Sequence, residues 1–132
     1  MGRRVILDTN VLIAYEWGTL DRAALDEDEL TIAAITVAEY RTGIELADTA
    51  ERAADRSRAL AAITSAVEVL EYTEATAVHH ARLIAHARRS GRARGAHDLI
   101  IAAHAAQTER VLLSGDALAR FSDLPGVTAE AP

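Results

Sequence analysis

Four acidic side chains of this sequence stand beside predicted strands and helices, where they could act together chemically. They are Asp8, Glu39, Asp98 and Asp116. Taken singly, each has an ordinary explanation, because an acid often caps a helix or complements the positive end of the helix dipole. The segment from Thr36 to Glu39, for example, reads as a capping box that would start a helix. Their joint placement is what favours a chemical role.

Three of these acids, Asp8, Glu39 and Asp116, follow predicted strands, and Asp98 lies in the first turn of a predicted helix. In an open α/β sheet, ligands bind at the carboxyl ends of the strands, so the four side chains could meet at that edge. Four converging carboxylates repel one another and raise at least one pKa, and a hard divalent cation relieves this repulsion. Oxygen-only ligands predict Mg²⁺ or Mn²⁺ rather than zinc. Such a site suits phosphodiester hydrolysis, with one carboxylate as general base.

Apolar periodicity and turn residues predict strands that alternate with helices along the whole chain. The predicted strands are residues 4–7, 30–35, 66–71 and 111–113, with an edge strand at 127–128. The first predicted helix follows Asp8 and ends near Gly18. Four more are predicted from Thr36 to about residue 47, over 50–65, from Thr73 to about residue 89, and over 96–108, and a short helix to Phe121 follows them. This order predicts one α/β domain over residues 1–132, with a parallel sheet flanked by helices on both faces.

Composition narrows the class of protein. The 132 residues suit one domain, half of them are apolar, and there is no cysteine to form a disulfide or a thiolate metal site. The net charge of −6 at first argues against a nucleic-acid partner, but bound metal would offset part of the acidity. No apolar run has the length of a signal-peptide core or of a membrane span, so we expect a cytoplasmic protein without a membrane partner.

An ordered set of motifs resembles the PIN-domain nucleases, and within them the VapC toxins of bacterial toxin–antitoxin pairs. The motifs are VILDTNVLI at residues 5–13, ITVAE at 35–39, HDLIIAA at 97–103 and LSGD at 113–116, with Phe121 beyond. No single motif is specific for this family, but the order and spacing of the whole set over nearly the whole chain are specific for it. The resemblance implies a metal-dependent endoribonuclease, a homodimer and inhibition by a cognate antitoxin, with transfer RNA or a ribosomal RNA loop as substrate.

The same resemblance assigns roles to individual residues. Asp8, Glu39, Asp98 and Asp116 match the family's acidic positions, Ser114 matches a hydroxyl residue that supports the site, and Asn10 matches a polar residue after the first acid. Two positions depart from the pattern. Gly115 stands where the family often has Asn or Arg, and His97 precedes Asp98 where a small residue is commoner. Neither departure removes a ligand, and both concern contacts with the substrate.

A basic cluster precedes Asp98 and consists of Arg88, Arg89, Arg92 and Arg94. Arginine binds phosphate well, so the cluster could hold RNA beside the acids. A solvated helix end would also place cations here, because they suit the negative end of the helix dipole. The short distance along the chain to Asp98 favours RNA binding.

Two other functions are compatible with part of this pattern. A receiver domain or a phosphatase with an aspartyl nucleophile also uses acids and Mg²⁺, but such proteins usually need a lysine and this chain contains none. The phosphatase motif also requires a second Asp, and Asn10 occupies that position. The remaining alternative is a non-catalytic module of the same fold that binds RNA or a protein. The complete set of acids argues against it.

Overall fold

Five short strands form one parallel sheet at the centre of the protein. The computed structural model describes residues 2–132. The strands are β1 Arg4–Leu7, β2 Glu29–Ala33, β3 Glu68–Leu70, β4 Val111–Leu113 and β5 Ala129–Glu130, in the spatial order β3-β2-β1-β4-β5. Every neighbouring pair is parallel. Leu7 lies opposite Leu113, so the two central strands end side by side.

Five helices connect and cover the strands. They are α1 Thr9–Trp17, α2 Ala34–Glu45, α3 Ala50–Ala66, α4 Glu74–Ser90 and α5 Ala96–Thr108. Gly18 and Gly91 end α1 and α4 at φ values of 72° and 68°, a left-handed conformation that glycine adopts without steric cost. Both ends confirm the sequence prediction. No helix within residues 2–132 has the length and apolar character needed to cross a membrane.

The hydrophobic core has two layers, one on each face of the sheet. Ile6 points into a cluster that contains Leu83 of α4 and Ile101 of α5. Its neighbours Val5 and Leu7 point into the opposite cluster, which contains side chains of α1 and α3. All three β1 side chains are fully buried, as expected for a strand covered on both faces. The predicted layered α/β architecture is therefore confirmed.

Several predicted boundaries are wrong. The predicted strand 30–35 ends at Ala33, since α2 already begins at Ala34, and the predicted strand 66–71 shrinks to Glu68–Leu70 because α3 continues through Ala66. The edge strand lies at Ala129–Glu130 rather than at 127–128, where Val127 is instead buried in the core. The predicted short helix to Phe121 consists of two 3₁₀ turns, Ala117–Ala119 and Phe121–Asp123.

The predicted capping box from Thr36 to Glu39 is also wrong. The residue before the first turn of α2 is Ala33, which has no side-chain capping bond, so Thr36 lies inside the first turn. Thr36 is buried, and its hydroxyl has no hydrogen-bond partner within residues 2–132. Glu39 is consequently one turn further along α2 and can extend toward the end of β1 instead of folding back onto its own helix.

Candidate active site

The end of β1 places Asp8 at the centre of the site. Its backbone N–H donates to the carbonyl of Leu113 at 3.0 Å, which extends the β1–β4 pairing by one residue. The carboxylate accepts two hydrogen bonds, from the Thr9 backbone N–H and from the Ser114 hydroxyl, both at 2.8 Å. Asp8 is thus both the residue that caps α1 and a buried, oriented acid with 6% of its surface exposed.

Ser114 links Asp8 to the turn that carries Asp116. Its hydroxyl donates to Asp8 and accepts from the backbone N–H of Asp116 at 3.1 Å. The side chain of Asn10 accepts from the backbone N–H of Gly115 at 3.2 Å and so fastens the same turn to α1. The two polar residues that the sequence places in supporting positions therefore hold the acids at the ends of β1 and β4 in a fixed relation.

Glu39 reaches the site from α2 and is held by two neighbouring elements. The Thr9 hydroxyl donates to its Oε1 at 3.0 Å, and the ring Nδ1 of His97 lies 3.6 Å from its Oε2. Thr9 follows Asp8 directly, so one short segment orients two of the acids. His97 lies at the site, and its partner is Glu39.

The first turn of α5 presents Asp98 to the same edge of the sheet. Its Oδ2 lies 3.0 Å from the point where a Cβ would stand on Gly95, the residue that precedes the helix. Gly95 has ordinary extended dihedral angles, φ −61° and ψ 135°, so its backbone conformation does not require glycine. A Cβ at position 95 would instead make a tight contact, and the Asp98 carboxylate would have to shift by a few tenths of an ångström.

The four acids interact through their negative charges. Burial raises the pKa of Asp98 above its ordinary value, and Asp8, Asp116 and Glu39 raise it further. Burial also raises the pKa of Asp8, the Ser114 hydrogen bond opposes this rise, and Glu39 and Asp116 reinforce it. The structure thus brings all four sequence-predicted acids close enough to repel one another.

The acid cluster fits a hydrated hard cation. Among the described residues 2–132, no three His, Asp or Glu side chains are arranged so that together they could hold a metal ion directly. Mg²⁺ does not need such an arrangement, because it keeps several waters and usually binds proteins through one or two carboxylates. Partly buried oxygen donors that repel one another suit Mg²⁺ or Mn²⁺, whereas structural zinc sites use nitrogen and sulfur ligands.

The four predicted RNA-binding arginines separate into two groups. Arg92 and Arg94 border a cavity of about 210 Å³ that Asp98 and Asp116 also line. Arg88 reaches a larger apolar hollow between α4 and α5, and Arg89 lies on the outer surface of α4. Only the first group therefore adjoins the acids.

Sequence reasoning missed Thr9, Gly95 and Arg120 as parts of the site. Thr9 could have been identified from the sequence, because it follows the first acid and begins the helix that Asp8 caps. Arg120 lines the cavity beside Asp98 and Asp116 only because the chain turns back after β4. Nothing in its sequence neighbourhood indicates that position.

Known proteins resemble this chain over most of its length. The PIN domain family matches residues 5–126. Ribonuclease VapC5 of Mycobacterium tuberculosis is 35% identical over 111 residues, which are 84% of this chain and 82% of the relative. The crystal structure of VapBC-5 from the same organism has 32% identity and a TM-score of 0.78, and covers 98% of this chain and 97% of its own. DNA-bound VapBC from Salmonella typhimurium has 26% identity and a TM-score of 0.84, and the match covers 99% of this chain and 98% of that one.

Proposed function

The chain belongs to the PIN-domain family, and from that premise we propose that it is a VapC-type toxin of a toxin–antitoxin pair. Its proposed activity is magnesium-dependent hydrolysis of structured RNA, either transfer RNA or a ribosomal RNA loop. The observation that carries the proposal is that one sheet edge gathers four acids, held there by the hydrogen bonds of Ser114 and Thr9: Asp8, Glu39, Asp98 and Asp116. Because the proposed substrate is cellular RNA, the proposed place of action is the cytoplasm.

The proposed reaction divides between the bound cation and the chain. Mg²⁺ would supply an acidified water and would offset negative charge on the phosphate and the leaving oxygen. The chain holds the acids in place, since Ser114 orients Asp8 and Thr9 orients Glu39. One carboxylate accepts the proton of the attacking water as the new phosphorus–oxygen bond forms and the bond to the leaving oxygen breaks.

Mapping of RNA ends after brief expression of the protein tests this proposal. We expect new ends at a small number of positions in loops of one RNA class, because a structured substrate exposes few bonds to the site. Glu39→Gln, expressed at the same level, should produce none of them. Identical end patterns from both proteins, or no new ends from the wild type, would favour a non-catalytic module of this fold.

Three exposed arginines are proposed to bind RNA: Arg92 beside the acids, and Arg88 and Arg89 at the adjoining end of α4. Replacing all three with Gln should weaken RNA binding and make the salt dependence of log Kd shallower, by about 0.7 for each lost single-strand phosphate contact. Filter binding at several salt concentrations measures this slope. The matched control, Arg41, Arg52 and Arg58 changed to Gln, lowers the net charge equally but alters exposed positions on α2 and α3. An equal loss in both variants would indicate only a general charge effect.

An apolar groove beside the acids is the proposed docking surface of the antitoxin. It measures about 220 Å³, and Ile13, Trp17 and Tyr40 line it together with the site residues Thr9 and Glu39. Trp17 is 74% exposed, which is costly for so large an apolar side chain in a protein without a partner. Several structural relatives are VapBC toxin–antitoxin complexes. A partner seated in this groove would cover Trp17 and approach Glu39.

Trp17→Ser should therefore weaken binding of the cognate antitoxin while leaving RNA cleavage intact. A buried Trp anchor contributes about 2 kcal/mol or more, which corresponds to roughly a thirtyfold increase in Kd. Isothermal titration gives the Kd, and a cleavage assay without antitoxin gives the activity. Leu46→Ser removes another exposed apolar side chain, outside the groove, and serves as the control. Unchanged antitoxin affinity in Trp17→Ser would place the partner elsewhere.

The second proposed protein partner is another copy of the chain. The apolar hollow between α4 and α5 measures about 500 Å³, and Ile84, Ala87, Leu99 and Ile100 form its apolar lining. A self-complementary apolar helical surface is what a two-fold interface requires. We place the homodimer contact on this face, with Arg88 at its rim.

A further inference from the structure

Arg94 differs from the other arginines near the site, because its guanidinium is bound to the backbone of another segment. A single nitrogen, Nη1, donates to the carbonyl oxygen of Ala119 and, at 2.9 Å, to that of Arg120. Arg94 is half-buried, whereas Arg92 is exposed and pairs with Asp123 at 3.1 Å on the surface. Arg94 therefore has fewer free donors to offer a phosphate than Arg92 has.

The bound segment carries one of the four acids. The backbone N–H of Ala119 donates to the carbonyl of Asp116 at 3.3 Å, so the turn that Arg94 holds begins at Asp116 itself. The next residue, Arg120, has φ 48° and ψ 48°, a left-handed conformation that is unfavourable for a residue with a side chain. Such a conformation persists when surrounding contacts impose it, and the Arg94 bond to the Arg120 carbonyl is one of them.

Arg94 itself belongs to the segment that carries a second acid, Asp98. Arg94 precedes Gly95, the residue before the first turn of α5, and the Asp98 carboxylate lies against Gly95. Arg94 thus spans the two segments that deliver Asp98 and Asp116. The cavity of about 210 Å³ that both acids line is bordered by the same contact.

We propose that Arg94 is a positioning residue that sets the separation of Asp98 and Asp116 and does not bind RNA. The proposal rests on the proposed function for its catalytic consequence, but the contact itself can be tested without RNA. Removal of a group that orients a metal ligand without touching the metal typically lowers metal affinity or activity by about 10–100-fold. An arginine that binds phosphate would instead change the salt dependence of RNA binding.

The test compares the wild-type chain with Arg94→Gln, Arg94→Lys and the control Arg52→Gln, which changes an exposed arginine on α3. For Arg94→Gln we expect a Mn²⁺ Kd that is about 10–100-fold higher by calorimetry. Hydrogen exchange of the amides at 116–121 should be about tenfold faster, because the carbonyl clamp is lost. Cleavage should show a lower kcat with little change in KM, and an unchanged salt slope. Arg94→Lys should recover part of each loss, since one ammonium can replace the single donating nitrogen.

Two results would overturn the proposal. One is unchanged Mn²⁺ affinity and amide exchange in Arg94→Gln; the other is a salt slope shallower by about 0.7 with normal Mn²⁺ affinity, which would assign Arg94 to a phosphate. Should Arg94→Gln not fold, Arg94→Lys is judged by the same measurements. A wild type that binds Mn²⁺ but cleaves no RNA would contradict the proposed function alone, because metal affinity and amide exchange still decide the role of Arg94. If the wild type also binds no Mn²⁺, the amide exchange of residues 116–121 in Arg94→Gln alone tests the role of Arg94: faster exchange supports the proposal and unchanged exchange overturns it.

Discussion

Protein stripped of divalent ions should leave RNA intact, and added Mg²⁺ or Mn²⁺ should restore cleavage by about three orders of magnitude. The physical reason is that, without a cation, an anionic phosphate would approach four acids, where burial and the other three acids already raise the pKa of Asp98. One pair of like charges 4 Å apart costs about 4 kcal/mol near a protein surface, which corresponds to roughly a thousandfold in rate. Cleavage of a labelled RNA in EDTA, followed by titration with each metal, measures the effect.

Zinc should substitute poorly in this assay, because the site offers only oxygen ligands and one histidine beside Glu39. Circular dichroism in EDTA should show an unchanged fold, because apolar side chains make up both core layers and need no metal to pack. Glu39→Gln purified in the same way controls for contaminating ribonuclease. Full wild-type activity in EDTA would exclude the metal mechanism.

The sequence allowed prediction of the acids that follow β1 and β4. Both strands are short apolar runs that end abruptly at a polar residue, and parallel neighbours must end at the same sheet edge. Because both acids follow such strands, the local sequence pattern is enough to predict that Asp8 and Asp116 lie close together. The α5 helix was equally clear, since its apolar run has a glycine before it and a polar end after it.

The placement of Glu39 was predicted with an incorrect local explanation. A Thr followed three residues later by Glu reads as a capping box, but α2 starts earlier, in the apolar run Ala33–Ala34–Ile35, where no polar cap signals a helix. Tertiary packing overrides the local signal here, because the run is shared between the end of β2 and the helix that follows it. The position of Glu39 after a predicted strand, together with the family resemblance, indicated that it belongs to the site, whereas the capping pattern did not.

The contacts that hold the site could not be predicted from local sequence. Arg94 is separated from its carbonyl partners Ala119 and Arg120 by 25 and 26 residues, and Arg120 adopts a conformation that is unusual for arginine. A charged residue in a loop before a helix reads as a solvated end or a phosphate ligand, and both interpretations treat it as exposed. Only the folded path of the chain after β4 gives Arg94 a backbone to bind.

Asp98→Asn should slow cleavage severely and leave the metal-free protein at least as stable as the wild type. The substitution keeps the shape of the side chain but removes one of four repelling charges. We expect a loss of about 10²–10³ in kcat, the size typical for removal of one preorganised electrostatic group. Asp8→Asn should behave alike, because Asn also caps helices well and its carbonyl can still accept from the Thr9 N–H.

The measurement pairs the cleavage rate with the melting temperature of the metal-free protein across pH. Because its pKa is raised in the folded state, Asp98 favours folding below the ordinary carboxyl pKa, and this contribution is lost as the pH rises through the raised value. Asp98→Asn should remove that part of the pH dependence. Glu51→Gln is the matched control, since Glu51 also lies in the first turn of a helix but at an exposed position of α3. Its loss should cost at most about 1 kcal/mol and leave cleavage unchanged. If Asp98→Asn or Asp8→Asn behaved like Glu51→Gln, that acid would be a helix cap and not a metal ligand.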